Sequence, residues 1–339
     1  MDYRLTENRR EAFIRWYAWS LKYDDCDPAV WATKYLNKRY EHNDEQRLWF
    51  AWLYGNTYYL PTSWVLMNEF PDYELANVER ITAWNTVNYR RLRYQTDTKW
   101  NKGHLPAMFA SYQQFIGDKS QREKIESYYV GTDEENFDSL WVNAKSSLYK
   151  FGRYNTWFYL QHLKHTAGIQ INPSSLMLDD YSGSRSHRNG LLFALSQEHD
   201  VDKKLSRSEY ADLESRARDI LQETRARFPE LHHQIDYFTM ETCLCSFKKI
   251  FRGHNGRYLG YYLDRQTEEI QKCEADGWGG IEWNVFWQSR SETLDTRLDH
   301  RRGVNKGRFT NFIGSGKIDN LHWMFDDAAE ENVGLENFF

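Results

Sequence analysis

The sequence predicts an all-α or nearly all-α protein, and three observations support that prediction. Helix-start residues recur along the chain, apolar residues follow them at helical spacing, and strand patterns are scarce. No repeat with a period of 20–50 residues occurs, which disfavours a solenoid. We therefore expect a large helical domain in this chain of 339 residues, built as one unit or as two packed halves.

The first predicted helices are marked by capping residues. Asp27, followed directly by a proline, predicts an N-cap for a helix over residues 28–40. Asn43 predicts the start of another helix, whose apolar residues recur at helical spacing from Leu48. Gly55 is the expected stop of that helix, because glycine commonly follows the last helical residue.

Two Ser/Thr-x-x-Glu patterns further along predict capping boxes. Thr132 with Glu135 predicts a helix that we expect to end at Gly152. Ser206 with Glu209 predicts a long charged helix that stops before the next proline.

The remaining regions give weaker patterns. A helix is expected between the prolines at 61 and 71, and another over about 233–251. Residues 169–171 and 175–178 are short strand candidates within a region that reads better as loop. We predict an N-terminal helical half (1–171), an irregular loop (172–190) and a C-terminal half (191–339), which together could also form one compact domain.

Composition excludes several classes of protein. No apolar run approaches the 18 or so residues of a membrane-spanning helix, and four cysteines are too few for a disulfide framework, so we expect a cytoplasmic protein without a membrane partner. The 56 aromatic rings, 17% of the residues, indicate that Trp and Tyr carry much of the packing. A net charge of -5 means that any nucleic-acid site must be a local patch.

Several chemical motifs are absent. Gly-Ser-Gly-Lys at 314–317 resembles the end of a phosphate-binding loop, but Ile318 replaces the required Ser or Thr and Asn311 replaces the first glycine. No dinucleotide fingerprint is present, and the cysteines lack zinc-site spacing, so we expect no cofactor and no bound metal.

The stretch 237–269 carries the densest group of reactive residues. On a helix its apolar residues form one stripe that places Cys243 in the core. On the other side Glu241, Cys245, Lys248 and Arg252 align at i, i+4, i+7 and i+11. Cys245 is therefore either a small filler beside a charge pair or a thiol activated as a nucleophile.

Two local basic segments could bind phosphate. From 248 to 265, five cations (Lys248, Lys249, Arg252, Arg257 and Arg265) face one acid, Asp264. Tyr262 and Arg265 share a face of the helix predicted there. The segment 297–317 has a net charge of +5 with interleaved glycines and rings, and an acidic tail follows it. Each segment is either a nucleic-acid surface or an ordinary solvated face.

Parts of the chain resemble a phage family of α-glutamyl/putrescinyl-thymine pyrophosphorylases, also called amino acid:DNA transferases. The resemblance lies in Thr-Cys-Leu-Cys-Ser-Phe-Lys-Lys at 242–249 and in Gly-Arg-Tyr-Leu-Gly-Tyr-Tyr-Leu-Asp-Arg at 256–265. Gly152-Arg153 with Trp157, residues 179–190 and the aromatic region 48–71 also look like that family. The family is related to the helical domain of 5-hydroxymethyluracil DNA kinases.

The resemblance implies a helical, DNA glycosylase-like architecture and a DNA substrate. It implies that pyrophosphorylated 5-hydroxymethyluracil in DNA exchanges its pyrophosphate for an amino acid or a polyamine. The missing phosphate-binding loop fits a transferase rather than the kinase, to which the protein could be functionally coupled. The helix-hairpin-helix signature of ordinary glycosylases is also missing, which disfavours base excision. If the chain is phage-encoded, we expect it in the cytoplasm of the infected bacterium.

The substrate implies three groups of residues. The candidate catalytic residues are Glu241, Cys245 and Asp264. The candidate pyrophosphate- and DNA-binding residues are Lys248, Arg252, Arg257, Tyr262 and Arg265. The candidate amine-binding residues are Arg153, Trp157, Asp180 and Arg188, the arginines because a guanidinium matches a carboxylate.

Two other functions stay open on sequence grounds. A non-catalytic helical DNA-binding module that assists a 5-hydroxymethyluracil kinase would need the same basic patches, but would tolerate loss of Glu241 and Cys245. A glycosylase-like enzyme would release the modified base and would need no amine.

Overall fold

A computed structural model describes residues 5–180, 185–251 and 260–294 of the protein. These ranges contain fourteen α-helices and no β-strand, which confirms the predicted helical class. The helices are α1 Arg9–Lys22, α2 Pro28–Arg39, α3 Asp44–Thr57, α4 Leu60–Glu69, α5 Val78–Asn88, α6 Leu105–Ile116, α7 Gln121–Glu126, α8 Asp133–Ser147, α9 Arg153–Ala167, α10 Ser186–Ala194, α11 Arg207–Arg227, α12 Tyr237–Phe247, α13 Tyr261–Ala275 and α14 Asn284–Thr293. Short 3-10 turns join several of them, including Lys248–Phe251 after α12.

The predicted capping boxes are confirmed. The Thr132 hydroxyl accepts from the backbone N–H of Glu135, whose carboxylate accepts in return from the Thr132 N–H. Ser206 and Glu209 repeat this exchange at α11, and Asn43 caps α3. Each cap satisfies backbone donors that have no partner within the helix, so it fixes the helix start locally.

Both glycines that were expected to end helices do something else. α3 continues through Gly55 to Thr57, and a Cβ on Gly55 would lie 2.7 Å from the Cβ of Tyr159. This glycine therefore permits close packing of α3 against α9. α8 ends at Ser147, and Gly152 instead precedes the first residue of α9.

The two short strand candidates form no strand, and the preferred reading of this region as loop is confirmed. Residues 169–171 and 175–178 are loop and turn, and the N–H groups of Leu176 and Leu178 donate to the Glu214 carboxylate at 3.0 and 2.9 Å. A side chain of α11 thus replaces the partner strand. The predicted loop 172–190 is also too long, because α10 begins at Ser186, and α12 begins at Tyr237 rather than near 233.

The rings form the core, as predicted. The side chains of Trp16, Trp49, Trp52 and Trp157 are at most 1% exposed. Trp16 on α1 donates from its indole N–H to the Ser246 hydroxyl on α12 at 3.1 Å. This bond connects the first helix to α12, which lies more than 200 residues further along the chain. Buried Trp and Tyr keep such polar contacts while supplying large apolar area.

Two further points concern membrane-spanning helices and the C-terminal charged segments. No helix in the described ranges is long and apolar enough to cross a membrane. The basic segment 297–317 and the acidic tail lie outside the described residues.

Candidate active site

One side of α12 faces a cavity of about 320 Å³. The 3-10 turn after α12, α9, α13, the first residue of α10 and the loop at 95–97 form its other walls. The lining residues are Tyr58, Gln95, Thr96, Asp97, Tyr154, Phe158, Ser186, Glu241, Thr242, Cys245, Lys248, Lys249, Tyr262 and Arg265. The cavity therefore brings together six residues that the sequence analysis named, from α12, the turn after it and α13: Glu241, Cys245, Lys248, Lys249, Tyr262 and Arg265.

The predicted register of α12 is confirmed. Cys243 is 1% exposed and packs in the core, whereas Glu241, Cys245 and Lys248 line the cavity. α10 fixes this register from the back, because a Cβ on Gly190 would lie 2.0 Å from the backbone carbonyl oxygen of Leu244. Only glycine lets these two helices approach so closely.

Glu241 is a buried carboxylate, 4% exposed, between two basic side chains. Nη1 of Arg153 lies 3.4 Å from its Oε1, and Nδ1 of His187 lies 3.6 Å from the same oxygen. Burial raises the pKa of Glu241, and the Arg153 guanidinium opposes that rise. A carboxylate with a raised pKa is a stronger proton acceptor than a solvated one.

His187 is a neighbour that the sequence analysis missed. It lies at the start of α10, 2% exposed, and burial lowers its pKa well below the ordinary value, as do the nearby Arg153 and Lys248. The imidazole is therefore neutral beside Glu241. No sequence signal indicated it, since His187 lies more than 50 residues before Glu241 in a stretch expected to be loop.

Three cations line the cavity. Lys248 and Lys249 come directly after α12, and Arg265 projects from the second turn of α13. The Arg265 guanidinium donates from Nε to Glu269 at 2.8 Å and lies 5.8 Å from the Tyr58 ring. Lys248, Lys249 and Arg265 thus share the cavity with two carboxylates, those of Glu241 and Asp97.

Aromatic rings form one wall. Tyr58 and Phe158 stack with centroids 3.8 Å apart, and Tyr154 meets both edge-on at 5.1 and 4.8 Å. Tyr262 adds a fourth ring. A flat, polar heterocycle fits beside such a wall, because every nucleobase presents a π-face for stacking.

Cys245 faces the cavity rather than the core. Its side chain is half-buried, and its Sγ lies 3.1 Å from the Ser186 hydroxyl oxygen at the start of α10. The thiol is accessible to a molecule in the cavity, which a nucleophile requires. Its role as nucleophile or as filler stays a prediction.

Two other predicted site residues, Asp264 and Trp157, are not among the residues that line the cavity, and two more lie outside the described residues. Asp264 is 5% exposed on α13, and the two residues outside the described ranges are Arg252 and Arg257. Trp157 is buried in the core, 4.9 Å from the Arg153 guanidinium.

Arg153, Arg188 and Asp180 bond to groups of the protein itself. Arg153 donates to the Leu176 carbonyl as well as to Glu241. Arg188 donates to the Lys203 carbonyl at 2.9 Å and to the hydroxyl of Tyr210 at 3.1 Å, and Asp180 pairs with the Lys145 ammonium. Of the four predicted amine-binding residues, Arg153 contacts a cavity-lining side chain, that of Glu241.

Known proteins are similar to this chain over most of its length. The sequence model of a family described as "Amino acid:DNA transferase" matches residues 22–255, which include α12 and the turn after it. A protein named serinyltransferase, from Salmonella phage ViI, is 28% identical over 346 aligned residues that cover 93% of this chain and 83% of the relative. No solved structure matches the chain, so the glycosylase-like architecture stays a prediction.

Proposed function

This chain belongs to the amino acid:DNA transferase family, and we propose that it replaces the pyrophosphate of pyrophosphorylated 5-hydroxymethyluracil in DNA with an amino acid. A polyamine is the second candidate for the amine. The single observation that carries the proposal is the cavity, which combines a buried carboxylate, three cations and a ring wall. A base-modifying transferase that releases a polyanion needs each of these parts.

The cations are suited to the leaving group. Pyrophosphate departs with several negative charges, and fixed positive groups stabilise that developing charge most where water is excluded. Lys248, Lys249 and Arg265 line one cavity and supply three such groups. We assign them to the pyrophosphate, together with Arg252 and Arg257 as sequence-based candidates.

The ring wall is suited to the base. An enzyme that modifies a base must take it out of the helical stack and hold it in a pocket, usually by stacking. Tyr58, Tyr154, Phe158 and Tyr262 form the wall on which we place the pyrimidine.

Glu241 is suited to deprotonate the amine. An amino acid arrives as an ammonium, and only the neutral amine can attack carbon. Burial raises the pKa of Glu241, so its ionised carboxylate is a stronger proton acceptor than a solvated one. Arg153 contacts Glu241 from behind, so we assign it as a positioning residue.

Two routes lead to the product. In the first, the Cys245 thiolate adds to carbon 6, the ring expels pyrophosphate to form an exocyclic methylene, the amine adds to that methylene, and the thiolate then leaves. In the second, the amine displaces pyrophosphate directly and Cys245 forms no bond. In both routes the ammonium proton passes to Glu241.

The amine itself is best supported as an amino acid. The family description and the relative named serinyltransferase both support an amino acid rather than a polyamine. Our predictions that Arg188 and Asp180 contact this amine, that Trp157 packs against it, and that Asp264 serves as a second base need direct tests.

The proposal is tested by incubating the purified protein with DNA that carries pyrophosphorylated 5-hydroxymethyluracil and a panel of amino acids and polyamines. Digestion to nucleosides and mass spectrometry then identify the product. We expect one amine adduct with release of an equal amount of pyrophosphate. Unchanged nucleosides across the panel would support a DNA-binding module, and abasic sites would support a glycosylase-like enzyme.

The Cys245→Ala variant separates the two chemical routes. If the thiol adds to carbon 6, the rate of transfer falls at least about hundredfold, because the covalent step is lost. Cys26→Ala is the matched control, since Cys26 is also a half-buried thiol but lies outside this cavity. Transfer by Cys245→Ala at the full rate would leave direct displacement as the route.

A further inference from the structure

A second concavity, of about 620 Å³, opens next to the candidate active site. The two cavities share Asp97 and Tyr154 as lining residues, so a bound DNA strand could pass from one into the other. We propose that the surface around this second concavity, which we call the stacking surface, binds the DNA strand that leads to the modified base. The stacking surface consists of Lys99, Trp100, Lys102, Tyr149 and Lys150. The proposal that this surface binds DNA rests on the proposed function only in placing the modified base in the neighbouring cavity.

The rings of the stacking surface are exposed, unlike those of the core. Trp100 is 71% exposed and Tyr149 is 45% exposed, in a protein that buries Trp49 and Trp52 completely. Exposing a large indole to water has a free-energy cost unless a ligand covers it. Unpaired bases stack on such rings, and the stacking tolerates any sequence.

Lysines accompany both rings. The Lys99 ammonium lies 4.8 Å from the Trp100 ring centroid, and the Lys150 ammonium lies 5.9 Å from the Tyr149 centroid. Lys102 follows two residues after Trp100. Within the described part of the chain, no carboxylate forms an ion pair with Lys99, Lys102 or Lys150. These ammonium groups can therefore pair with phosphates and release counterions.

The two halves of the stacking surface are adjacent and firmly attached. The His104 ring, on the Trp100 loop, lies 6.1 Å from the Tyr149 ring. Thr98 is fully buried and donates to the Thr57 carbonyl at 2.6 Å, and Asn101 donates to the Asn56 carbonyl at 3.1 Å. Because these anchors hold the loop on the end of α3, ordering it on binding costs little entropy.

The residue types favour a nucleic acid over a protein partner. Protein interfaces are depleted in lysine, whereas single-stranded nucleic-acid surfaces combine lysines with stacking rings. The adjoining active site already requires a base to leave the duplex, which unstacks its neighbours along the strand. Trp100 and Tyr149 are placed to receive those neighbours.

The test measures binding of single-stranded and duplex oligonucleotides with ordinary thymine, by fluorescence anisotropy at several salt concentrations. We expect Trp100→Ala to weaken binding of the single strand roughly five- to hundredfold, the range expected for one lost base stack. We expect Lys150→Ala to reduce the slope of log affinity against log salt by about 0.7.

Val130→Ala and Lys119→Ala are matched controls. Val130 is 70% exposed and follows Tyr129, whose hydroxyl accepts from the Gln170 N–H just beyond the far end of α9. Lys119 is exposed beyond the far end of α6. Both helices are about 18 Å long or more, so these positions are distant from the stacking surface. Both variants should bind DNA as the unaltered protein does.

Two outcomes would overturn the proposal: the unaltered protein fails to bind either oligonucleotide, or Trp100→Ala and Lys150→Ala bind as tightly as the controls. The assay contains no amine and no pyrophosphorylated base. A stacking surface that is confirmed in a protein without transferase activity would therefore refute the proposed reaction alone. Transfer by Trp100→Ala with an unchanged KM for DNA would refute the stacking surface alone.

Discussion

The cavity beside Glu241 and the stacking surface around Trp100 use cations and rings in opposite ways. In the cavity, Glu241 is 4% exposed and contacts Arg153, and its pKa is raised by burial. On the stacking surface, Lys99 and the 71% exposed Trp100 stand in solvent. The cavity also holds a lysine and a ring, Lys248 at 7% exposed and Tyr58 at 9% exposed, so the same residue types occupy two very different dielectric environments.

The difference separates chemistry from binding. A buried charge is expensive unless it is paired, and its pKa moves to values useful for proton transfer. An exposed lysine keeps its hydration and contributes to affinity mainly by releasing counterions from DNA, so its effect depends on salt. Substitutions in the cavity should therefore change the rate or the stability, whereas substitutions on the stacking surface should change affinity.

The largest expected effect is that of Glu241→Gln. Removing the proton acceptor should lower the single-turnover rate of transfer about 10²- to 10⁴-fold. In the unaltered protein the rate should rise with pH as Glu241 loses its proton, and this rise should be absent in the variant. Asp97→Asn is the control, because Asp97 is an exposed carboxylate of the same cavity. If the Glu241→Gln variant kept both the transfer rate and its increase with pH, Glu241 would have no role in the mechanism.

The next effect concerns two glycines. Gly190→Ala should lower the free energy of unfolding by about 3 kcal/mol, since the new Cβ would lie 2.0 Å from the Leu244 carbonyl oxygen. Gly103→Ala, beside Lys102 on the stacking surface, should change it by less than about 0.5 kcal/mol, because no atom beyond its immediate chain neighbours lies within 4 Å of its Cβ position. Urea unfolding measures the free energy of unfolding of both variants. If Gly190→Ala were as stable as Gly103→Ala, α10 and α12 could move apart without a loss of free energy.

The smallest effect at any one pH step is the pH dependence of stability that Asp27 contributes, because it builds up gradually over several pH units. Burial raises the pKa of Asp27 to about 7, while its carboxylate accepts from Gln161 and Thr242. Between about pH 4 and pH 7 the folded chain therefore holds a proton that the unfolded chain releases. The free energy of unfolding should fall with rising pH across this window, by up to about 1.4 kcal/mol per pH unit.

Asp27→Asn should remove that contribution and flatten the curve of stability against pH. Asp25, whose pKa burial also raises to about 7, retains its own contribution. Urea unfolding of the variant should therefore show a weaker fall of stability with rising pH, by up to about 1.4 kcal/mol less per pH unit. A curve identical to that of the unaltered protein would mean that Asp27 ionises with an ordinary pKa.

Local chemistry made part of this structure predictable. The capping boxes at Thr132 and Ser206 depend on residues three positions apart, so the sequence shows them directly. The periodicity of α12 likewise separated buried Cys243 from cavity-lining Cys245. The prediction that α3 ends at Gly55 was wrong. The helix continues there because the missing side chain lets α3 pack closely against Tyr159, about a hundred residues further along the chain.

The candidate site was predictable only in the part that α12 and α13 contribute. Glu241, Cys245, Lys248 and Arg265 follow from helical spacing within one stretch of the chain. His187 was missed because α10 packs on α12 through Gly190, a contact that no spacing encodes.

The amino-acid sequence by itself determined the helical class, the helix starts and the polar side of α12, since each depends on neighbours within a few residues. Tertiary structure alone decided that Tyr58, Tyr154 and Arg265 meet in one cavity and that Trp100 stays in solvent. The physical reason is that burial and proximity arise from contacts between distant segments, and these contacts set each side chain's dielectric environment and hence its chemistry.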